Sequence, residues 1–251
     1  MFFDTHAHLN DDAFLEDLEL VIERSFKNKV EGILVVGYDV KSSEKAIEIS
    51  RKFKGKIFAA CAIHPHDAQN FESDFKIIEE LSKEEEVVAI GETGLDFYRN
   101  FSSREAQIAS FEAFIDLAIR RNLPLIFHVR KAFPEVFKIL EKYKNLRGVF
   151  HSFSGGINEL KRAIELNFYV SFSGSITYGS KKLELSLKNI PLNRLLFETD
   201  CPYLIPRPLK GRNEPSNLLY ILNFASSILN ISAEELGKIS TENALRLFNL
   251  E

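Results

Sequence analysis

The 251-residue sequence predicts one α/β domain over residues 1–251, a (β/α)8 TIM barrel with an extra C-terminal helix. Three observations carry this expectation. Eight short apolar runs recur along the chain, near-continuous rather than alternating, as strands buried on both faces of a parallel sheet require. Amphipathic helical patterns lie between the runs. No Gly-x-Gly-x-x-Gly follows the first run, which weakens the dinucleotide-binding form of the rival doubly wound sheet.

The runs cover residues 1–6, 32–37, 57–63, 87–91, 123–128, 148–153, 168–172 and 195–198. After the first, Leu15, Leu18, Ile22 and Phe26 repeat at helical spacing; after the second, Ala46, Ile49 and Phe53 do so. Ile108, Phe111, Ile115 and Ala118 share a face behind the fourth, with Ser102 and Glu105 read as a capping box. Pro134 suits the first turn of a helix bearing Phe133, Val136, Phe137 and Leu140. Beyond the eighth run, Pro215 opens a helix through Leu218, Leu219, Leu222 and Leu229. Ser232 with Glu235 caps a final one bearing Leu236, Ile239 and Leu247. Two helices after one strand make the elaboration.

Composition excludes several classes. Hydrophobic residues at 45% and charged residues at 27% are ordinary for a globular chain, which rules out disorder. No run of about 18 apolar residues exists, so no membrane helix is expected. The first residues lack a basic stretch before an apolar core, so no signal peptide is read there. Two cysteines cannot build a disulfide framework, and a cytoplasmic protein without an evident protein partner is expected. Lys plus Arg number 32 against 36 Asp plus Glu, a net −4. Broad duplex binding needs a basic face, so any nucleic-acid role must use a local patch or chain ends.

The chemistry gathers at strand ends. All six histidines, His6, His8, His64, His66, His128 and His151, fall at or just after the C-terminal end of an expected strand, and none in a helical stretch. That end is where barrels build active sites. In His6-Ala7-His8 both imidazoles face one way, as residues two apart on a strand do. Asp4 has the same parity and is read as a residue orienting a ligand. Glu92 follows an apolar strand, where a carboxylate is costly unless solvated or paired. With His128, His151 and Asp200 these give four nitrogens and two carboxylates. The mixture suits one or two transition-metal ions rather than calcium, which takes oxygen ligands. No Gly-x-Ser-x-Gly elbow is present. The acidic neighbours of Cys201 argue against a reactive thiolate, and Cys61 reads as core.

The ordered series His6-Ala7-His8, Ile63-His64-Pro65-His66, Gly91-Glu92-Thr93-Gly94-Leu95-Asp96, His128-Val129-Arg130, His151-Ser152-Phe153-Ser154-Gly155, Glu198-Thr199-Asp200-Cys201-Pro202-Tyr203-Leu204 and Arg212-Asn213-Glu214-Pro215 resembles the TatD family of metal-dependent hydrolases. The departures, Cys201 where a small residue such as Ala is usual and Thr93 within the Gly-Glu motif, touch no ligand. The resemblance implies a TIM barrel of the amidohydrolase-like superfamily and a metal-dependent deoxyribonuclease, often exonucleolytic on single-stranded or damaged DNA. It implies one ion on His6, His8, Glu92 and Asp200, and a second on Glu92, His128 and His151. It also admits D-aminoacyl-tRNA deacylation. Other members of the superfamily cleave small esters or amides, many with a carboxylated Lys where Glu92 stands. A metal-binding barrel without catalysis is the remaining class.

The expected reaction is attack of a metal-activated hydroxide on phosphorus, with two divalent ions (Zn, Mn, Mg, Co or Ni), Glu92 bridging and Asp200 as general base. Arg130 shares the parity of His128, while Arg207, Lys210 and Arg212 crowd the loop after the eighth strand, so His64, Arg130, Arg207 and Arg212 are the expected substrate contacts. His66 is expected outside the ligand set. An acidic chain fits a substrate of short or single-stranded DNA approached from an end.

Overall fold

The structure, a computed structural model, describes residues 2–250. Its strands are β1 (Phe2–Ala7), β2 (Val30–Val36), β3 (Ile57–Cys61), β4 (Val87–Asp96), β5 (Leu125–Arg130), β6 (Gly148–Phe150), β7 (Tyr169–Phe172) and β8 (Leu195–Phe197). They lie parallel in one sheet in chain order, β1 to β8. Closure comes just beyond the strand ends: the Asp200 N–H donates to His6 O at 2.9 Å, and the His8 N–H to Cys201 O at 2.8 Å. The result is the expected (β/α)8 barrel.

The helices are α1 (Leu18–Lys27), α2 (Val40–Lys52), α3 (Phe71–Leu81), α4 (Arg104–Arg121), α5 (Phe133–Leu140), α6 (Ile157–Glu165), α7 (Lys181–Asn189), α8 (Leu218–Leu229) and α9 (Ala233–Phe248). Alternate strand residues serve two cores. Ile33, Val35, Phe127, Val170 and Phe197 face outward to the helices. Phe3, Leu34, Ala60, Ile126, Val149 and Leu196 fill the barrel interior. The extra helix α9 closes that interior from below with Ala244, Leu247 and Phe248, and Phe248 stacks on Phe3 at 6.1 Å between centroids. Burying each such side chain is worth about 1.5–3 kcal/mol. The apolar floor leaves the opposite end free for polar groups.

Several expected boundaries shift, each for a local reason. Leu15 is 61% exposed and precedes α1, so the apolar face of that helix begins only at Leu18. Phe53 caps α2 from just outside. The cap of α4 is Ser103, whose Oγ accepts the Ala106 N–H. Ser102 is engaged elsewhere, donating to His66 O at 2.7 Å. Pro215 begins a single 3-10 turn, Pro215–Asn217, ahead of α8. Ser232 caps α9 as expected, accepting the Glu235 N–H. Against the expectation that no histidine lies in a helical stretch, His66 belongs to the 3-10 turn Pro65–Asn70, whose cap is His64.

The largest difference is β4, which continues through Glu92 to Asp96, well past its apolar run. Its pairing with β5 slips between Ile90 and Thr93, and the Gly91–Glu92 peptide is cis. Gly94 has φ 144°, and a Cβ there would collide with the His128 carbonyl oxygen. Only glycine lets β4 run this close to β5 and so deliver both Glu92 and Asp96 beside His128.

Candidate metal centre

Glu92 occupies the middle of the upper barrel, 4% exposed, and its two carboxylate oxygens face different neighbours. Oε2 lies 3.4 Å from His6 Nε2 and 3.6 Å from His8 Nε2. Asp200 Oδ1 completes this nest, 3.8 Å from His6 Nε2 and 3.5 Å from His8 Nε2. Oε1 lies 2.5 Å from His128 Nδ1 and 2.7 Å from His151 Nε2. All six residues expected as metal ligands therefore meet, brought in from β1, β4, β5 and the segments following β1, β6 and β8.

The backbone makes this convergence possible. The register of β1 against β2 slips between Asp4 and Ala7, so simple alternation fails there. Asp4 makes no hydrogen bond to the His6 ring. Its Oδ1 accepts the His6 N–H at 3.3 Å and the Thr199 N–H at 2.9 Å, tying β1 to the tail of β8. Burial pushes the Asp4 carboxyl up to about 7 against those hydrogen bonds. Asp200 sits at φ 57°, a left-handed conformation that Asp tolerates better than most residues and that is common at functional sites.

The outer nitrogens of His8 and His151 are held by hydrogen bonds, and a carboxylate stands behind that of His128. His8 Nδ1–H donates to Val36 O at 2.9 Å, which fixes the tautomer and leaves the Nε2 lone pair facing the nest. Glu198 Oε1 lies 3.3 Å from His151 Nδ1 and accepts the Ser152 N–H at 2.6 Å. Asp96 Oδ2 lies 3.5 Å from His128 Nε2 and accepts from His66 Nε2 at 2.8 Å. The sequence alone assigns neither Asp96 nor Glu198 a part in the centre. Only the fold shows both carboxylates behind a histidine of the nests.

His64 joins the second nest, with Nε2 3.5 Å from Glu92 Oε1 and 3.3 Å from His128 Nδ1. A neutral imidazole has one acceptor nitrogen. The His64 acceptor is Nδ1, which takes the His66 N–H at 3.1 Å. Burial, with the His128 field behind it, lowers His64 to about 4, so the ring is neutral. Its Nε2 then carries the proton in the neutral ring, and His64 also groups with Glu92 and His128 as side chains able to share an ion.

The electrostatics of the nests are mutual: against burial, Glu92 and the neighbouring carboxylates raise His8, His128 and His151. Burial alone would raise the Glu92 carboxyl, yet the fields of His151 and His128, with the His128 hydrogen bond, hold it well below its ordinary value. Burial, then the His151 field, lowers His6. Within the first nest, His6 Nε2 and His8 Nε2 approach to 3.1 Å, a separation at which two lone pairs repel unless a proton or cation lies between. Ligand atoms bound at about 2.0–2.2 Å to one ion stand roughly 3–3.6 Å apart, close to the spacings here. The donor set of imidazole and carboxylate suits Zn, Mn, Co or Ni.

These groups open onto a cavity of about 800 Å³. His64, His66, Arg130, Arg99 and Ser152 line it, with Tyr38, Tyr178 and Tyr203. Of the other expected substrate contacts, Arg207 stands behind the wall, its guanidinium 5.1 Å over the Tyr178 ring. Arg212 is turned away. Its fork meets the Asp17 carboxylate at 2.8 and 2.7 Å, and it also donates to Ala13 O. That pairing ties the loop after β8 to the start of α1.

A parallel eight-stranded barrel with a carboxylate shared between two imidazole nests at its C-terminal rim defines a metal-dependent hydrolase. The comparisons name the lineage. The profile described as TatD related DNase matches residues 3–249, so the chain belongs to that family. It is 43% identical to the uncharacterized metal-dependent hydrolase YabD of Bacillus subtilis, across all of both chains. It is 34% identical to the 3'-5' ssDNA/RNA exonuclease TatD of Pectobacterium parmentieri over 99% of each. The crystal structure of YJJV, a TatD homolog from Escherichia coli, superposes with a TM-score of 0.92 at 25% identity, covering 99% of this chain and 98% of that one. Phosphodiester hydrolysis is thus the family's chemistry. No helix among the described residues is long and apolar enough to cross a membrane.

Proposed function

We propose that this hydrolase uses two divalent ions to release nucleotides from an end of single-stranded or short DNA. The observation that carries the reading is the Glu92 carboxylate, whose two oxygens face separate nests. His6, His8, Glu92 and Asp200 would hold one ion; Glu92, His128 and His151 would hold the other. Bound there, the ions would supply Lewis acidity toward phosphate and acidify water toward a pKa of about 7.

The chain's own groups do the rest. Asp200, 8% exposed at the cavity edge, takes the proton of the attacking water. His64, neutral and protonated on Nε2, donates to a phosphate oxygen. Arg130 offers its fork to the next phosphate from the cavity wall, and Arg207 reaches the strand only if it leaves Tyr178. The net charge of −4 supports few phosphate contacts at once, hence action at an end. The exonuclease named among the relatives supports the same substrate class. Two buried free thiols support a cytoplasmic setting.

The test is mononucleotide release from single-stranded DNA, with and without chelator, beside Asp200→Asn. Chelator should abolish release, and the variant should lose about 10²–10⁴-fold. Undiminished release by Asp200→Asn would remove it as the base, and release that survives full metal removal would end the reading.

A further inference from the structure

We propose that the loop joining β4 to α4 is a stacking platform for an unpaired nucleobase, with Phe101 and Tyr98 as the rings and Arg99 and Arg130 as adjoining phosphate contacts. The proposal rests on the nuclease reading above. Phe101 is 65% exposed and Tyr98 56% exposed, three positions apart on one short loop. Large aromatic rings usually bury most of their surface, so two left open against Arg130 and His66 of the cavity wall call for an occupant.

The loop presents them rigidly. Asp96 Oδ1 accepts the N–H groups of Tyr98 at 2.8 Å and Arg99 at 2.9 Å. Buried Gln107 accepts the Asp96 N–H at 2.8 Å and donates to Ser102 O at 3.0 Å, and Ser102 is bonded to His66 O. A ring on a fixed loop loses little freedom when something stacks on it.

Charge and position select the occupant. The Arg130 guanidinium lies 4.2 Å over the Tyr98 ring, and Arg130 and Arg99 both line the cavity of the metal centre. Phe101 meets the His66 ring in a T-shaped contact at 4.8 Å, which leaves at least one face of the phenyl ring open. His66 in turn lies 6.1 Å from the His128 ring. A ligand bridging ring and metal centre must therefore join a flat apolar group to an anion, as a nucleotide does. Every base offers a π-face, so stacking holds a strand without reading its sequence. It also supplies affinity that an acidic chain cannot draw from phosphates. Paired bases are stacked on one another, so the platform favours single strands and frayed ends.

Phe101→Ala and Tyr98→Ala, alone and together, test this. Both side chains are exposed, and an unchanged melting temperature confirms the fold. Binding is read by fluorescence anisotropy on the metal-loaded protein, with a nuclease-resistant phosphorothioate oligothymidylate. The double variant should bind roughly ten- to hundredfold more weakly. Wild-type protein should bind an abasic strand of equal charge as weakly, with no further loss in the variants. Unchanged affinity of the double variant overturns the proposal, as does an equal loss on the abasic strand. Failure of wild-type protein to cleave any unmodified strand would instead sink the nuclease reading, and the binding measurement does not depend on it.

Discussion

Glu198 grips His151 from behind: its Oε1 lies 3.3 Å from Nδ1, while Nε2 of the same ring is 2.7 Å from Glu92 Oε1. A carboxylate in that position orients the ring and raises its basicity toward a metal. Glu198→Gln keeps an oxygen for the Ser152 N–H but removes the charge. Metal affinity measured by calorimetry should fall about 10–100-fold, with little change in melting temperature. An unaltered affinity would reduce Glu198 to a loop anchor.

Gly94→Ala should be costly although it adds one methyl group. The backbone is at φ 144°, and the new Cβ would meet the His128 carbonyl oxygen. Strain of this kind costs about 1–3 kcal/mol. For a chain of this size each kcal/mol lowers the melting temperature by about 2–4 °C. The same displacement moves His128, so metal content should fall too. A thermal melt and elemental analysis that match wild type would contradict the packing of β4 on β5.

Arg212→Ala should leave the KM for single-stranded DNA within about twofold, because its fork is committed to Asp17 and not to the cavity. Part-exposed pairs contribute about 0–1 kcal/mol. The Arg212 hydrogen bonds hold the Asp17 carboxyl below its ordinary value. A depressed carboxylate stabilises the fold above its unfolded pKa of about 4 and loses that contribution as pH falls through the folded value. Denaturant melts of the two proteins should therefore differ at neutral pH, begin to converge below about pH 4 and coincide once the folded Asp17 is protonated. A large rise in KM would return Arg212 to the substrate.

Both thiols should be silent in the folded protein. Burial pushes the Cys61 thiol up to about 12. Burial, with the Asp4 field behind it, raises Cys201. A chromogenic disulfide reagent at pH 8 should titrate neither thiol natively and both in denaturant. Rapid native labelling of Cys201 would show that the segment after β8 opens.

Much of this was legible before any coordinates. Parallel strands buried on both faces read as unbroken apolar runs, so all eight appear within a few residues of their observed ends, except β4. There the polar stretch Glu92–Asp96 hides a strand that glycine and a slipped register sustain. Helices α3, α6 and α7 were implied only by the count of units. The convergence of the six residues around Glu92 was legible because imidazoles and acids at strand ends have few structural uses. Partnership was not: Asp17 lies 195 positions from Arg212, and nothing in local spacing reveals that one fork is already occupied. Exposed rings such as Tyr98 and Phe101 carry no periodic signal, since only solvent accessibility distinguishes them from core aromatics.

The backbone bridge from Asp200 to His6 has a temporal consequence. The first nest takes its members from β1, β4 and the segment after β8, so a nascent chain that has not yet reached Asp200 cannot assemble it. Every fragment ending before that residue lacks the carboxylate that closes the nest.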